Sequence, residues 1–385
     1  MTASKNLLTA GVFGTSRKVE EKRVPIHPGQ LEWIDPAIRK NLYFETGYGR
    51  AFGMEDDTLA GLSGGVLPRE ALFERCDIAL LAKPVPGDFA QMREGTIHWG
   101  WPHCVQQTEV TQTAIDRKLT LIAWEAMHRW TAHGDWQVHV FHKNNEIAGY
   151  AGVHHAMNLV GIDGNYGPNR KAVVISFGSV SRGAVLALQA RGVQDITVFT
   201  QRHYFLVADQ MAGVDYYQFD LGDDGRLMSL HPDRQSLPFI EELTGADIIV
   251  NGILQDTDRP LMFVGENEVD RLKPGCLIVD ISCDEGMGFS FARPTDFDGP
   301  IFQVGQVHYY AVDHSPSYLW NSASWEISNS LIPYLPLVMG GPEKWMESET
   351  LRRAIEIREG VVQNPKILSF QNREAAYPHH QKSRS

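Results

Sequence analysis

Cysteine is scarce in this 385-residue sequence: only Cys76, Cys104, Cys276 and Cys283 occur, and no two of them form a C-x-x-C pair. That scatter argues against a disulfide framework and against a zinc site, and it fits a reducing, cytoplasmic setting. Cys104 and Cys283 stand close to candidate site residues, but no base accompanies either thiol. Both are therefore read as buried or pocket-lining rather than nucleophilic. Long apolar runs are also missing. No stretch approaches the roughly 18 residues of a membrane helix, and the N-terminal run is too short for a signal peptide. Positive charge is not in excess, since 35 Lys and Arg face 47 Asp and Glu for a formal net charge of -12. Such a surface repels a phosphate backbone, and no basic stripe suggests nucleic-acid binding. Internal repeats and low-complexity segments are absent.

The chain has 43% hydrophobic and 21% charged residues, a globular composition at a length that suggests two domains. Short apolar runs alternate with amphipathic stretches, the pattern of α/β architecture. Strands are expected at Leu8–Phe13, Leu42–Phe44, Ile78–Leu81 and Leu119–Ala123. A second series is expected at Ala172–Phe177, Ile196–Phe199, Ile248–Asn251 and Cys276–Ile281. Ile147–Leu159 reads as a long helix whose Gly149 and Gly152 allow close packing. It ends in the turn-rich segment Gly161–Asn169. Beyond Gly305 the pattern turns helical, over Ser322–Met339 and Lys344–Gly360. From Ser369 onward the tail is polar and expected to be disordered.

The strand at 172–177 runs into Gly178-Ser-Val-Ser-Arg-Gly183 and then an apolar helix. Strand, glycine turn and helix are the context of a dinucleotide fingerprint. Gly178 is expected to permit the tight turn and Gly183 to let the helix approach the strand. Ser179 and Val180 would then lie against the pyrophosphate at the helix N-terminus. Val180 departs from the usual middle glycine. The next strand ends in Thr200-Gln201-Arg202, with no acid to accept hydrogen bonds from a ribose 2′-hydroxyl. A hydroxyl and a guanidinium suit a 2′-phosphate, so NADPH is preferred over NADH as cofactor. No metal is expected.

Several separated segments together carry a resemblance. They are Glu21-Lys-Arg-Val-Pro-Ile-His-Pro28, His98-Trp-Gly-Trp-Pro-His103, Ala148-Gly-Tyr-Ala-Gly152, Val279-Asp-Ile-Ser-Cys-Asp-Glu-Gly286 and Val312-Asp-His-Ser-Pro-Ser317. The set resembles the alanine dehydrogenase and pyridine nucleotide transhydrogenase superfamily. Within it, the likeness points to the branch of N5-(carboxyethyl)ornithine synthase and saccharopine dehydrogenase, which makes N-(carboxyalkyl)amino acids. The resemblance implies an α/β fold of two Rossmann-like domains with parallel sheets, separated by an active-site cleft. Residues 1–147 and 306–385 would form the substrate domain and residues 148–305 the dinucleotide-binding domain.

Residue by residue, the resemblance implies that Arg23 grips a substrate carboxylate and that Lys83 binds the keto acid and takes part in proton transfer. His103 is the implied general acid/base, with His98 a rival by proximity; His154 and His155 read as structural. Asp284 would lie near the nicotinamide, with Asp280 the competing acid. Asn251 and Gly252 would approach the cofactor ribose through the backbone. His314 and Ser317 would line the cleft mouth. The implied reaction condenses an amino acid or amine with a small 2-oxo acid and reduces the imine. Deamination or amination with ammonia, as in alanine dehydrogenase, is the alternative, and a cofactor-binding protein without catalysis is the competitor from another class. The Trp-rich segments at Trp99–Trp101, Trp124–Trp136 and Trp320–Trp325 are candidates for reshaping the pocket. The expected partners are small molecules and further copies of the chain in a homo-oligomer, with no membrane.

Overall fold

The computed structural model describes residues 7–222, 225–232, 235–255 and 259–382. The chain forms two compact units, one running to His142 and resuming at Trp320, the other spanning Lys143–Leu319. Among the described residues, no helix is long and apolar enough to cross a membrane.

In the first unit the strands are β1 (Ala10–Val12), β2 (Leu42–Glu45), β3 (Gly65–Leu67), β4 (Ile78–Leu80), β5 (Ile97–Gly100) and β6 (Thr120–Ala123). They lie side by side in the order β3-β2-β1-β4-β5-β6, all parallel. Successive residues along β4 and into Leu81 point to opposite layers: Ile78 and Leu80 join one buried cluster, Ala79 and Leu81 the other. A sheet covered on both faces needs such continuous apolar runs, which is why these strands were legible. The strand order reverses between β1 and β4, and in open parallel sheets ligands bind outside the carboxyl ends at that switch.

Beyond β6 the sheet is completed by Ile355–Arg358 and Val361–Val362, both antiparallel. The expected helix over 344–360 is therefore helical only at its start, where the short helix Pro342–Trp345 ends, and at Glu349–Ala354. Ile355 and Ile357, two apart, bury their side chains beside β6, and this non-local pairing overrides the local helical pattern. The helix expected at 322–339 is divided into Trp320–Leu331, a 3-10 turn at Ile332–Tyr334 and Leu335–Met339. Pro333 and Pro336 each remove an amide donor at the breaks. The tail is ordered through residue 382: Pro365–Phe370 is helical, and Arg373 pairs with Gln381. Arg373 and His379 are buried there and hydrogen-bond to each other through Arg373 Nη1 and the His379 carbonyl.

The second unit repeats the same plan. Its parallel core runs in the order Asp215–Leu221, Asp195–Thr200, Lys171–Ile175, Ile248–Asn251, Leu277–Asp280 and Val307–Tyr310, with antiparallel strands at both edges. The reversal falls between Lys171–Ile175 and Ile248–Asn251. Strand Val307–Tyr310 pairs with Leu277–Asp280 and Ile301–Val304 pairs with it in turn. Residues 306–319, expected to return to the first domain, therefore stay with the second. Their alternating Val307, Tyr309 and Ala311 bury into its core.

Candidate functional site

Lys83 and His103 leave the carboxyl ends of neighbouring strands β4 and β5, and their side chains meet. Lys83 Nζ lies 2.8 Å from His103 Nε2. Trp101, two residues before His103, presents its ring both to Lys83 Nζ (5.6 Å from the centroid) and to the Arg23 guanidinium (5.1 Å). Stacking against the ring restrains two long cationic side chains that would otherwise be mobile. Arg23 is buried and grips Glu21 along one edge, Nε to Oε1 at 2.8 Å and Nη2 to Oε2 at 2.5 Å. A substrate carboxylate at Arg23 would share the guanidinium with Glu21. Neither Glu21 nor Trp101 was singled out as a partner from sequence, because both contacts are made in space.

The His103 backbone is in the left-handed region at φ 49°. Such a conformation in a non-glycine residue persists only where surroundings enforce it. Here the His103 N–H donates to Glu125 Oε1 at 2.7 Å, and the same oxygen is 3.8 Å from His103 Nδ1. Glu125 is a functional candidate missed by sequence reading, although it lies two residues beyond an expected strand. Desolvation, with the nearby Glu356 charge, pushes its carboxyl up to about 7. A carboxyl poised there beside an imidazole can hold that ring's orientation and modulate its proton affinity. The rival His98 is fully buried with Nε2 3.1 Å from the Leu81 carbonyl, and burial pushes its pKa down to about 4. It is a neutral structural residue.

The turn at 83–88 is anchored through buried charge. Arg69 bridges Glu45 (3.2 Å) and Asp88 (2.9 Å). Asp88 accepts from the Val85 N–H, while Glu45 accepts from the Gly14 and Thr15 N–H groups. The loops after β1 and β4 are thus tied together at the switch point.

In the second unit, the helix Ser179–Ala190 begins at Gly178 with no side-chain cap. The first-turn amides of an α-helix have no intrahelical partner, so this end is suited to an anion. Gly178 has an ordinary φ of -93°, and a Cβ built on it meets nothing within 4 Å. The strained residue of the turn is instead Ser176, at φ 77°. Gly178 leaves the space before the helix free of side-chain atoms, the room a pyrophosphate would need at that N-terminus. The role of Gly183 also differs from expectation: a Cβ there would fall 1.7 Å from the Glu146 carbonyl oxygen, so it admits the neighbouring helix rather than the strand. Gly149 is its counterpart, 1.9 Å from the Val180 oxygen by the same construction. Val180 lies within the helix and needs no special φ, which removes the conformational objection to it.

Arg202 is exposed and folds back so that Nη2 donates to the Phe177 carbonyl at 3.1 Å. Its backbone N–H donates to Thr200 Oγ1 at 3.3 Å. Arg202 and Thr200 therefore flank the start of the glycine loop. Gly252 packs against the helix start, where a Cβ would lie 2.2 Å from Ser181 Oγ. The Asn251 side chain turns inward, donating to Asp280 at 2.9 Å. Asp280 also accepts from the Tyr309 hydroxyl at 2.6 Å, and its burial makes it structural. Asp284 lies on the exposed turn beyond, where partial desolvation raises its carboxyl above the usual range. His314 and Ser317 are 6% and 3% exposed; His314 pairs with Asp313, and the intervening Ser315 anchors the segment to the Ala148 carbonyl. His155 packs on Tyr310 and Tyr318, in keeping with a structural reading. Burial raises the Cys104 thiol well above its ordinary value and pushes Cys283 up to about 12, so neither is an activated nucleophile.

Two models described as "Alanine dehydrogenase/PNT" match the chain, the N-terminal domain over residues 15–148 and the C-terminal domain over residues 188–365. N(5)-(carboxyethyl)ornithine synthase of Clostridium botulinum is 26% identical over 324 residues, covering 80% of this chain and 88% of its own. Alanine dehydrogenase of Mycolicibacterium smegmatis is also 26% identical, over 332 residues, covering 83% and 85%. The fold matches that of an L-alanine dehydrogenase with a TM-score of 0.76 at 18% identity, over 94% of this chain and 99% of the other. A transhydrogenase from Sinorhizobium meliloti matches with a TM-score of 0.69, also at 18% identity, over 93% and 99%.

Proposed function

This chain belongs to the alanine dehydrogenase/PNT family, and we propose that it reductively condenses an amino acid or amine with a small 2-oxo acid. Its cofactor is a nicotinamide dinucleotide; the finer assignment to NADPH is part of the proposal. The observation that carries the reading is the 2.8 Å contact between Lys83 Nζ and His103 Nε2 beside Arg23. Arg23 and Lys83 hold the carboxylate and carbonyl oxygen of the 2-oxo acid. The neutral amine attacks the carbonyl carbon while Lys83 donates a proton to the oxygen that becomes hydroxyl. His103 takes a proton from the nitrogen and returns one to the hydroxyl, which leaves as water and gives the iminium. Nicotinamide, when bound, supplies the hydride that reduces this carbon. Glu125 holds His103 in position through its backbone N–H throughout. Fixing both reactants removes much of the entropic cost of bringing them together.

In the second unit, the amides at Ser179 and Val180, with Gly178 and Gly183, serve the pyrophosphate. Thr200 and Arg202 serve the 2′-phosphate, and the backbone of Asn251–Gly252 serves the ribose. Asp284 is assigned to the nicotinamide end. His314 and Ser317 are assigned to the substrate side, acting through the buried segment they stabilise.

The second reading, amination with ammonia, has the specific support that alanine dehydrogenases match at the same identity. A screen of NADPH oxidation decides between them. Pyruvate, glyoxylate and 2-oxoglutarate are combined with ammonia, ornithine, lysine and other amines, and products are identified by mass. Secondary-amine products are expected; turnover with ammonia alone would sink the condensation. For the cofactor, Arg202→Asp is expected to shift the NADPH/NADH ratio of kcat/KM toward NADH by about 10–100-fold, the worth of a charged hydrogen bond. An unchanged ratio would remove Arg202 from the 2′-phosphate site.

A further inference from the structure

Beside the Lys83–His103 pair the first unit carries a pocket of about 520 Å³, within the range of small-ligand sites. It opens at the carboxyl ends of β1 and β2, between the segments Gly14–Ser16 and Thr46–Tyr48. Ser16 joins it to the reactive end of the sheet, because its hydroxyl donates to the Lys83 carbonyl at 2.7 Å. Glu21, the partner of Arg23, forms part of the wall.

The polar atoms of this wall are largely committed to partners behind it. Thr15 Oγ1 donates to Glu45 at 2.6 Å. The Tyr48 hydroxyl donates to the Ile26 carbonyl and accepts from the Ile26 N–H, leaving only its ring to the pocket. The Glu21 carboxylate is given to Arg23. What remains is ring surface and positive charge. Phe52 and Trp320 stand edge to face at 5.2 Å. Lys22 is offset by its ion pair with Glu20 at 2.9 Å, so the charge comes from Arg50, which is exposed and makes no ion pair among the described residues.

We infer that this pocket receives the side chain of the amino-acid co-substrate and selects an apolar or aromatic side chain against a cationic one. The inference rests on the condensation reading above. A side chain ending in an ammonium, such as that of ornithine or lysine, would meet the Arg50 guanidinium and no uncommitted carboxylate, since Glu21 is held by Arg23 and Glu20 by Lys22. Rejection by like charge is as effective a source of specificity as attraction. An apolar side chain meets three rings and loses no hydrogen bond on entering.

With pyruvate as the 2-oxo acid, kcat/KM for phenylalanine and leucine is expected to exceed that for ornithine and lysine by about 10-fold or more. Phe52→Asp reverses that order, chiefly through a KM for phenylalanine raised about 10-fold, whereas Phe52→Leu keeps the wild-type order and so separates pocket chemistry from misfolding. Tryptophan fluorescence in the presence of NADP+ gives a readout that does not need turnover. Phenylalanine shifts the emission of the wild type but not that of Trp320→Phe, and ornithine shifts neither. Preference for ornithine or lysine in an active enzyme overturns the pocket assignment and leaves the condensation standing. Binding of phenylalanine without turnover of any amine overturns the condensation and supports the pocket. Neither binding nor turnover overturns both.

Discussion

Lys83→Met is expected to lower kcat by about 10²–10⁴-fold, the span of a lost proton-transfer group, with nicotinamide dinucleotide still bound. Methionine keeps a side chain of similar length but removes the ammonium that lies over the Trp101 ring and meets His103 Nε2. Because Glu125 still holds the His103 backbone, the loss reports proton transfer and carbonyl binding rather than collapse of the turn. If the two residues act as one unit, Lys83→Met combined with His103→Asn falls little below the worse single variant, since residues sharing a step are grossly non-additive. Lys83→Arg does not rescue, as a guanidinium retains its proton at any working pH. The measurement is NADPH oxidation at saturating substrates, with cofactor affinity followed separately by fluorescence. Losses that multiply would show that Lys83 and His103 serve separate steps. Full activity in Lys83→Met would remove the pair from the mechanism.

The sequence exposed one half of that pair's logic and hid the other. Lys83 ends an apolar run and His103 follows a Trp-Gly-Trp turn, so each is visible as a polar residue at the edge of a buried strand. Glu125 and Glu21 follow equally ordinary segments, yet their value lies in partners that no local pattern announces. Parallel strands covered on both faces read as apolar runs, which made most of the core strands legible. Two strands do not stand out: Gly65–Leu67 is only half-buried, and Ile97–Gly100 holds a buried histidine. Ile355–Arg358 continues the helical pattern that begins at Lys344, and only the pairing with β6 favours a strand. The glycine loop was found from its context, but the reasons for its glycines were not. Gly183 and Gly149 answer to carbonyls of a facing helix, a constraint that belongs to helix packing and cannot be read from the loop itself. The Trp-rich segments divided in the same way. Trp99, Trp101 and Trp124 are core residues, while Trp320 lines a pocket.

Asp280→Asn is expected to flatten part of the pH dependence of folding. Asp280 is 1% exposed, and desolvation pushes its carboxyl from 3.8 up to about 7 even though the Tyr309 hydroxyl and the Asn251 amide both favour its charged form. Between those two values the native protein holds a proton that the unfolded chain has released. Stability therefore falls as pH rises through that window and levels off above it. Each unit of displacement is worth on the order of 1.4 kcal/mol, so the whole window amounts to a few kcal/mol. Asparagine has no proton to lose, and it can accept from Asn251 while donating to the Tyr309 oxygen. His98 and His139 work in the opposite sense. Burial lowers both to about 4, so their contribution grows as pH rises from there to the ordinary imidazole value. The informative quantity is thus the difference between wild type and variant, measured by urea unfolding at about pH 5, 6, 7 and 8. The wild type should lose ground to the variant steadily up to about pH 7 and no further. A difference independent of pH would show that Asp280 is already ionised in the native state, with its hydrogen bonds outweighing its burial.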